Sequence, residues 1–353
     1  MNVAVVIMSA GKEPSLTNIQ TFKETIAADA IDMMSKGELR HKYHFFTYVY
    51  GRHPRAEGPD CSSVNDIEVI NDEQMNEWTD VYIPSQGYAY QVPYIFDESI
   101  YRTFEKTYEM FSYLYALKTY DVVVRINISS ALNIRVLDRL LGVYDPRHVY
   151  CCALNSITED PAYANILYPR GDFIMMSMKT IEKVLPYMKN YMFCDMNMTH
   201  RITVPHADDC LIGLALKDLF EHDSKKDGRD EKYHKRYELL LYNYIPVCKE
   251  SNLEIWNDLE SQMKAYCSPF AITSRIKSVP QGQVSGYSWG DNEYRKSDPE
   301  KMRCISKIMK ERGFVGMSGD FFFKTLVIDK MSDRAKGAVM VAHMLMPLKN
   351  FLT

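Results

Sequence analysis

Asp121-Val122-Val123-Val124-Arg125-Ile126-Asn127-Ile128-Ser129-Ser130 begins as an unbroken run of β-branched residues and turns polar at its end. Such a run reads as a strand buried on both faces, which is how strands of a parallel sheet look. Val3–Met8 is a second run of the same kind and closes at Ser9-Ala10-Gly11, as a buried strand entering a tight loop does. Helical spacing follows over 19–34, and then come strand candidates at Tyr43–Tyr50, closed by Gly51-Arg52-His53-Pro54, and at Ile67–Ile70. Strand, helix, strand in that order predicts an α/β fold with a mostly parallel sheet flanked by helices. Ligands of such sheets gather beyond the carboxyl ends of the strands, so residues 125–130 stand where chemistry is expected.

Upstream of that strand, residues 97–119 read as one long helix, with Asp97 available as N-cap and Ile100, Phe104, Phe111 and Leu114 forming its buried stripe. Downstream, Val149–Leu154 reads as a strand. Gly171-Asp172-Phe173-Ile174-Met175-Met176-Ser177 leads into a helix over about 179–188. His206-Ala207-Asp208-Asp209-Cys210-Leu211-Ile212-Gly213 opens another helix with Leu211, Ile212, Ala215, Leu216 and Leu219 on one side. Residues 221–236 are dense in charge and lack an apolar stripe, which predicts an exposed linker or hinge. The chain therefore divides into 1–220, an α/β unit, and 221–353, a C-terminal extension that packs on it and ends in a helical tail.

The 353 residues carry 42 Lys+Arg and 46 Asp+Glu, a formal charge of −4. That balance gives no general drive toward nucleic acid, whose non-specific affinity comes from many cation–phosphate contacts. The eight cysteines form no CxxC pair and no Cys/His cluster at zinc-finger spacing, so they read as reduced, mostly buried thiols. The opening apolar run is short and has no basic residues before it, unlike a signal peptide. No stretch reaches the length of a membrane span. A soluble, cytoplasmic protein is expected, with no nucleic-acid partner.

Several side chains have a functional and a structural reading. Asp208 and Asp209 suit the first turn of a helix, where carboxylates satisfy free N–H groups and the helix dipole. Two are more than one cap requires, and a second carboxylate can serve as a general base. Arg125 ends a strand of valines, where a charge needs a partner; Asp121 and Asp172 are the nearest candidates, and the alternative is an anion. Asn127 and Ser129 are either turn formers or ligand donors. Lys106 lies off the Phe104/Phe111 stripe and reads by default as solvated. In Phe270-Ala271-Ile272-Thr273-Ser274-Arg275-Ile276-Lys277-Ser278, Arg275 and Lys277 share one strand face. They read as an exposed strand face or as a diphosphate clamp. The Gly-rich stretch 282–291, with Tyr287 and Trp289, reads as a plain loop or a lid. GxxxxGK[ST], GxGxxG and HExxH are all absent.

In order and spacing, residues 1–220 resemble the GT-A-fold glycosyltransferases, which have a Rossmann-like domain. The resemblance rests on four local matches. They are the first strand and loop Val3–Lys12; Lys106-Thr107 ahead of Val122-Val123-Val124-Arg125-Ile126-Asn127-Ile128-Ser129; the Gly171–Ser177 segment; and Asp208-Asp209-Cys210-Leu211-Ile212-Gly213. It is nearest to divergent enzymes of capsule-building bacteria and large DNA viruses that carry Arg-x-Asn-x-Ser-Ser where most members carry a metal-binding DxD. The resemblance implies an inverting transfer of a sugar from a UDP- or GDP-type nucleotide sugar to a hydroxyl of a glycan or glycoprotein acceptor, in the making of a surface glycan. In a viral source it would act in the host cytoplasm. It casts Asp209 as the base and Asp208 as the residue that orients the acceptor or donor sugar. Ser9, Gly11, Lys106, Arg125, Asn127 and Ser129 would lie on the nucleotide sugar, and Gly171, Asp172 and Trp289 on the acceptor side. Asn127 and Ser129 are weak ligands for a hard divalent ion, so Arg275 and Lys277, helped by Arg125 or Arg295, are expected to replace the metal; a metal on Asp172 or Asp208 is the alternative. The competing reading from another class is a GT-A-like binding or assembly subunit without activity. A sugar nucleotidyltransferase would need a Gly-rich GxGxR-type loop after the first strand, and none is present.

Overall fold

The computed structural model describes residues 1–9, 15–50, 68–72, 75–83, 103–156, 166–194, 208–228, 232–244, 271–276 and 297–311. Strands β1 (Asn2–Met8) and β2 (Lys42–Tyr50) are joined by a helical stretch of α1 (Ser15–Phe22), a π-helical turn (Lys23–Ala27) and α2 (Ala28–Ser35). Next come β3 (Glu68–Asp72), β4 (Met75–Ile83), α3 (Thr103–Leu117), β5 (Val122–Asn127), β6 (Ser130–Leu132) and α4 (Ile134–Leu141). The chain continues through β7 (Val149–Cys151), β8 (Leu154–Ser156), β9 (Leu167–Pro169), β10 (Phe173–Ser177), α5 (Met178–Cys194) and α6 (Asp208–Lys226). The last described elements are β11 (Tyr237–Leu239), β12 (Tyr242–Tyr244), β13 (Thr273–Arg275) and α7 (Asp298–Glu311).

The main sheet has eight strands in the order β11-β7-β10-β5-β1-β2-β4-β3. Pairings β1–β2, β1–β5, β2–β4 and β7–β11 are parallel. Strand β10 runs against β5 and β7, and β3 runs against β4. The expected mostly parallel α/β sheet flanked by helices is therefore the architecture found. Its central strands are apolar because both faces are covered. Val3, Val5, Ile7, Val122, Val124 and Ile126 pack with α1, α2, α4 and α7. Ala4, Val6, Met8 and Val123 pack with α3, α5 and α6. Successive strand side chains alternate between faces, so Arg125 follows Val123 onto the α3/α5/α6 side.

Some expected boundaries move. The long helix begins, among the described residues, at Thr103; Asp97 and Ile100 lie outside them, while Phe104, Phe111 and Leu114 are buried as expected. The helix expected over 179–188 extends over Met178–Cys194. The 149–154 strand divides between the main sheet (β7) and a two-stranded ribbon (β8 with β9). The expected hinge is helical through Lys226. Phe220 and Ser224 keep a buried line there, and Lys217–Glu221 and Lys183–Asp223 pairs at 2.9 Å hold the charged side. Beyond it, β11 joins the edge of the main sheet. Strand β13 pairs with β12 and β6 in a three-stranded sheet. Among the described residues no helix is long and apolar enough to cross a membrane. Cys151, Cys152, Cys210 and Cys304 are buried.

Candidate active site

The carboxyl end of β5 meets the start of β10 and the first turn of α6. Because β10 is antiparallel to β5, its beginning, and not its end, arrives at this edge: Phe173 pairs with Ile126. Gly171 and Asp172 therefore lie beside Arg125 and Asn127. Arg125 is completely buried. Its Nη1 donates to the Gly171 carbonyl oxygen, and its Nη2 donates to Asp208 Oδ2 and, at 3.2 Å, to Met8 Sδ. Burial disfavours the guanidinium charge, but Asp208, Tyr48 and Asp209 together more than offset this, so the arginine pKa lies above its ordinary value. Asp208 is also buried and accepts from Thr107 Oγ1 at 3.2 Å, whose hydroxyl lies 3.1 Å from Tyr48 Oη. Burial pushes the Tyr48 phenol up to about 12, so it stays protonated.

Asp209 is the partly exposed carboxylate of the two. Its Oδ2 accepts from the Gly171 N–H at 3.0 Å and its Oδ1 from the Cys210 N–H at 2.9 Å. The second bond is a helix-start role, so the capping reading holds for that oxygen. Burial and the charge of Asp208 raise the Asp209 pKa to about 6, against the lowering by Arg125 and the two N–H groups. Gly171 thus offers its N–H to Asp209 and its carbonyl to Arg125. A Cβ at this position would stand 2.5 Å from Arg125 Nη1 and 3.3 Å from its Cζ.

Lys106 is buried, and its Nζ donates to the Ser9 carbonyl oxygen at 2.6 Å. Burial lowers its pKa to about 8, with Asp208 acting to raise it. The solvated reading of this lysine fails because α3 turns it toward the end of β1, where the open carbonyl of Ser9 awaits a donor.

A second cluster adjoins the first. Asp172 is fully buried; Arg275 Nη1 donates to its Oδ1, and Arg170 Nη2 lies 2.6 Å from its Oδ2. Strand β13 aims Arg275 through its pairing with β6, where Arg275 faces Ser130 and the Ile276 N–H bonds the Ser129 carbonyl at 2.9 Å. The Arg170 guanidinium lies 5.9 Å from the centre of the Tyr242 ring. Asn127 Oδ1 is buried and has no hydrogen-bond partner among the described residues, and Ser129 is buried at the same edge.

The structure brings Arg125, Asn127, Ser129, Gly171, Asp172, Asp208, Asp209 and Arg275 to one strand end, with Ser9 and Lys106 joined beside Asp208. Arg125 pairs with neither Asp121 nor Asp172: Asp121 instead accepts the Asn2 N–H at 2.8 Å. Asp172, expected on the acceptor side, is committed to two guanidiniums. Gly11, Lys277, Trp289, Arg295 and His206 lie outside the described residues. Arg170, Tyr48 and Tyr242 were not legible as site residues. The one available signal was a cation directly before Gly171-Asp172. The described residues hold no preformed divalent-ion site. No group of three or more His, Cys, Asp or Glu comes together among them, Asn127 and Ser129 fill the DxD positions, and Asp172 and Asp208 are each paired with arginine.

No protein-family model and no curated protein matches the chain. Among solved structures it is similar to the crystal structure of the glycosyltransferase GlyE of Streptococcus pneumoniae TIGR4, at 11% identity and a TM-score of 0.35. The match covers 89% of this chain and 66% of that one, just under two thirds of its length. At that TM-score the likeness carries no argument, and the architecture rests on the sheet order and pairing above.

Proposed function

We propose that this chain is a glycosyltransferase that moves a sugar from a nucleoside-diphosphate sugar to a hydroxyl of a glycan acceptor with inversion at the anomeric carbon. The observation that carries the reading is Asp209, a partly exposed carboxylate at the carboxyl end of the sheet. Its neighbour Asp208 is neutralised by a buried arginine, and its own pKa is raised to about 6. A base with a pKa near the working pH is both deprotonated and strong enough to take a hydroxyl proton in the transition state. In the reaction, Asp209 accepts that proton as the acceptor oxygen attacks the anomeric carbon, and the nucleoside diphosphate departs from the opposite face. Asp208, locked by Arg125 and Thr107, holds the first turn of α6 and keeps Asp209 basic. Asn127, with its unpartnered carbonyl oxygen, and Ser129 lie where a donor sugar or phosphate would be hydrogen-bonded. Lys106 fixes the Ser9 carbonyl and so shapes the end of β1 against which a nucleoside would rest. Residues 1–220 form the donor and acceptor domain, and the 221–353 extension supplies Arg275.

The test is release of nucleoside diphosphate from a panel of nucleotide sugars with glycan acceptors. D209N should lower kcat at least 10³-fold while donor affinity stays within about threefold of wild type. Near-normal kcat in D209N would assign the base elsewhere. The absence of turnover with every donor, together with no rise in Tm on adding nucleotides, would sink the enzyme reading.

A further inference from the structure

Tyr48 has no task in the proposed reaction, yet it ends a chain of hydroxyls that leads to the acidic pair. Tyr48 on β2 and Thr107 on α3 are both completely buried. Their hydroxyl oxygens lie 3.1 Å apart, and Thr107 Oγ1 donates to Asp208 Oδ2 at 3.2 Å. A carboxylate can only accept, and a hydroxyl has one hydrogen to give. Thr107 directs that hydrogen to Asp208, so the contact between the two hydroxyls runs from Tyr48 to Thr107. The same carboxylate oxygen accepts from Arg125 Nη2 on β5. Asp209, the next residue, accepts instead from two main-chain N–H groups. Two adjacent carboxylates thus stand in unlike surroundings, and that is what assigns a proton to one of them over the other.

We infer that Tyr48 and Thr107 are positioning residues of the acidic pair: their hydroxyl chain holds the Asp208 carboxylate on Arg125 and disperses its charge, so that Asp209 is the carboxylate that takes up a proton and can still release it near neutrality. The consequence for transfer rests on the transferase reading above. No proton moves along the chain, which acts through the field of Asp208. Burial and the Asp208 charge both strengthen the hold of Asp209 on a proton. Each hydrogen bond that Asp208 accepts weakens the charge felt by its neighbour, and donation from Tyr48 polarises the Thr107 O–H and so strengthens its bond to Asp208. Loss of either hydroxyl therefore leaves Asp209 protonated to higher pH, where a base has to be empty. The groups that face the pair are Arg125 on β5, Tyr48 on β2, Lys106 on α3, Tyr168 on β9 and Cys210 on α6. Burial puts Tyr48, Tyr168 and Cys210 at about 12 and Lys106 at about 8, so these four keep one charge state while Asp209 titrates.

The experiment is an NMR titration of the full chain carrying ¹³C-carboxyl aspartate, with the Asp209 signal identified by its loss in D209N. T107V removes the hydroxyl at nearly constant shape and should raise the Asp209 midpoint by about half a pH unit or more. Y48F should raise it by less, and T107S, which keeps the hydroxyl, should restore the wild-type midpoint. Because Tyr48 acts through Thr107, the double variant should move the midpoint no further than T107V alone. An unchanged or lowered midpoint in T107V, a T107S variant that titrates like T107V, or shifts that add in the double variant would each overturn the inference. Should T107V and Y48F fail to fold, the wild-type chain labelled with ¹³C-threonine decides. The Thr107 hydroxyl hydrogen should then give a slowly exchanging resonance that is lost in T107S, and its absence would overturn the chain. The titration needs no turnover. The expected midpoints without transfer from any donor therefore count against the transferase reading alone, and transfer with an unmoved midpoint in T107V counts against the hydroxyl chain alone.

Discussion

Asp209 holds its charge against its surroundings, and that has a sign in both rate and stability. Its pKa of about 6 means that kcat/KM should rise with pH through about 6 and level off above it; a flat profile from pH 5 to 8 would contradict its role as base. The folded chain binds this proton more tightly than the unfolded chain, so stability should fall as pH rises from the ordinary carboxylate range through about 6. D209N removes the charge, and with it one of the two acceptors, since the amide nitrogen cannot take an N–H bond. Between pH 4 and pH 8 its stability should therefore vary less than that of wild type by about 1–3 kcal/mol after discounting for partial exposure; melting curves at the two pH values check this. The acidic pair was legible because two carboxylates at a helix start exceed what capping needs. The partner of Arg125 was not, since 83 residues separate it from Asp208 and no local pattern encodes such a meeting. Lys106 misled because its burial answers to the end of β1, not to its own helix stripe.

Helix α6 is set by a glycine. A Cβ on Gly213 would run into the Tyr168 side chain, and it would stand 2.9 Å from the Tyr168 Cα and 3.3 Å from Pro169 Cδ on β9. Backbone cannot give way as a side-chain tip can. G213A should therefore lower stability by roughly 2–4 kcal/mol and also reduce kcat, because Asp209 lies four residues earlier on the same side of the helix. Paired Tm and kcat measurements test this, and a loss of stability with full kcat would separate the helix seat from the site. The β-branched runs gave away β1 and β5, since only burial on both faces tolerates them. Strand β4 escaped notice because Glu77 and Asp80 interrupt Met75–Ile83. Asp80 is accommodated there by Trp78 Nε1 at 2.9 Å, Lys23 Nζ at 3.2 Å and the Thr47 hydroxyl. The charged 221–226 segment was read as solvated loop because composition does not show that α5 lies alongside to receive it.

At the scale of the whole molecule, the later third of the chain returns to the earlier two. Strand β11 extends the main sheet beside β7, and β13 lies between β12 and β6. Amides of 237–239 and 273–275 should therefore exchange with solvent as slowly as those of β5, in one cooperative unit. Exchange of the later set orders of magnitude faster, measured by mass spectrometry, would show that residues beyond 220 open independently. The mostly parallel sheet was legible from strand–helix alternation, but the order of its strands was not. The return of β13 was not, because its three residues carry no period of their own. Its lateness has a consequence for how the protein is made. The chain leaves the ribosome from residue 1 onward, so Arg125, Arg170, Asp172 and Asp209 are all synthesised before Arg275. Until residues 273–275 emerge, β6 and β12 have no strand between them and Asp172 lacks its ion pair with Arg275. The strand end that carries Asp209 is thus completed late in synthesis, by residues far from it in sequence.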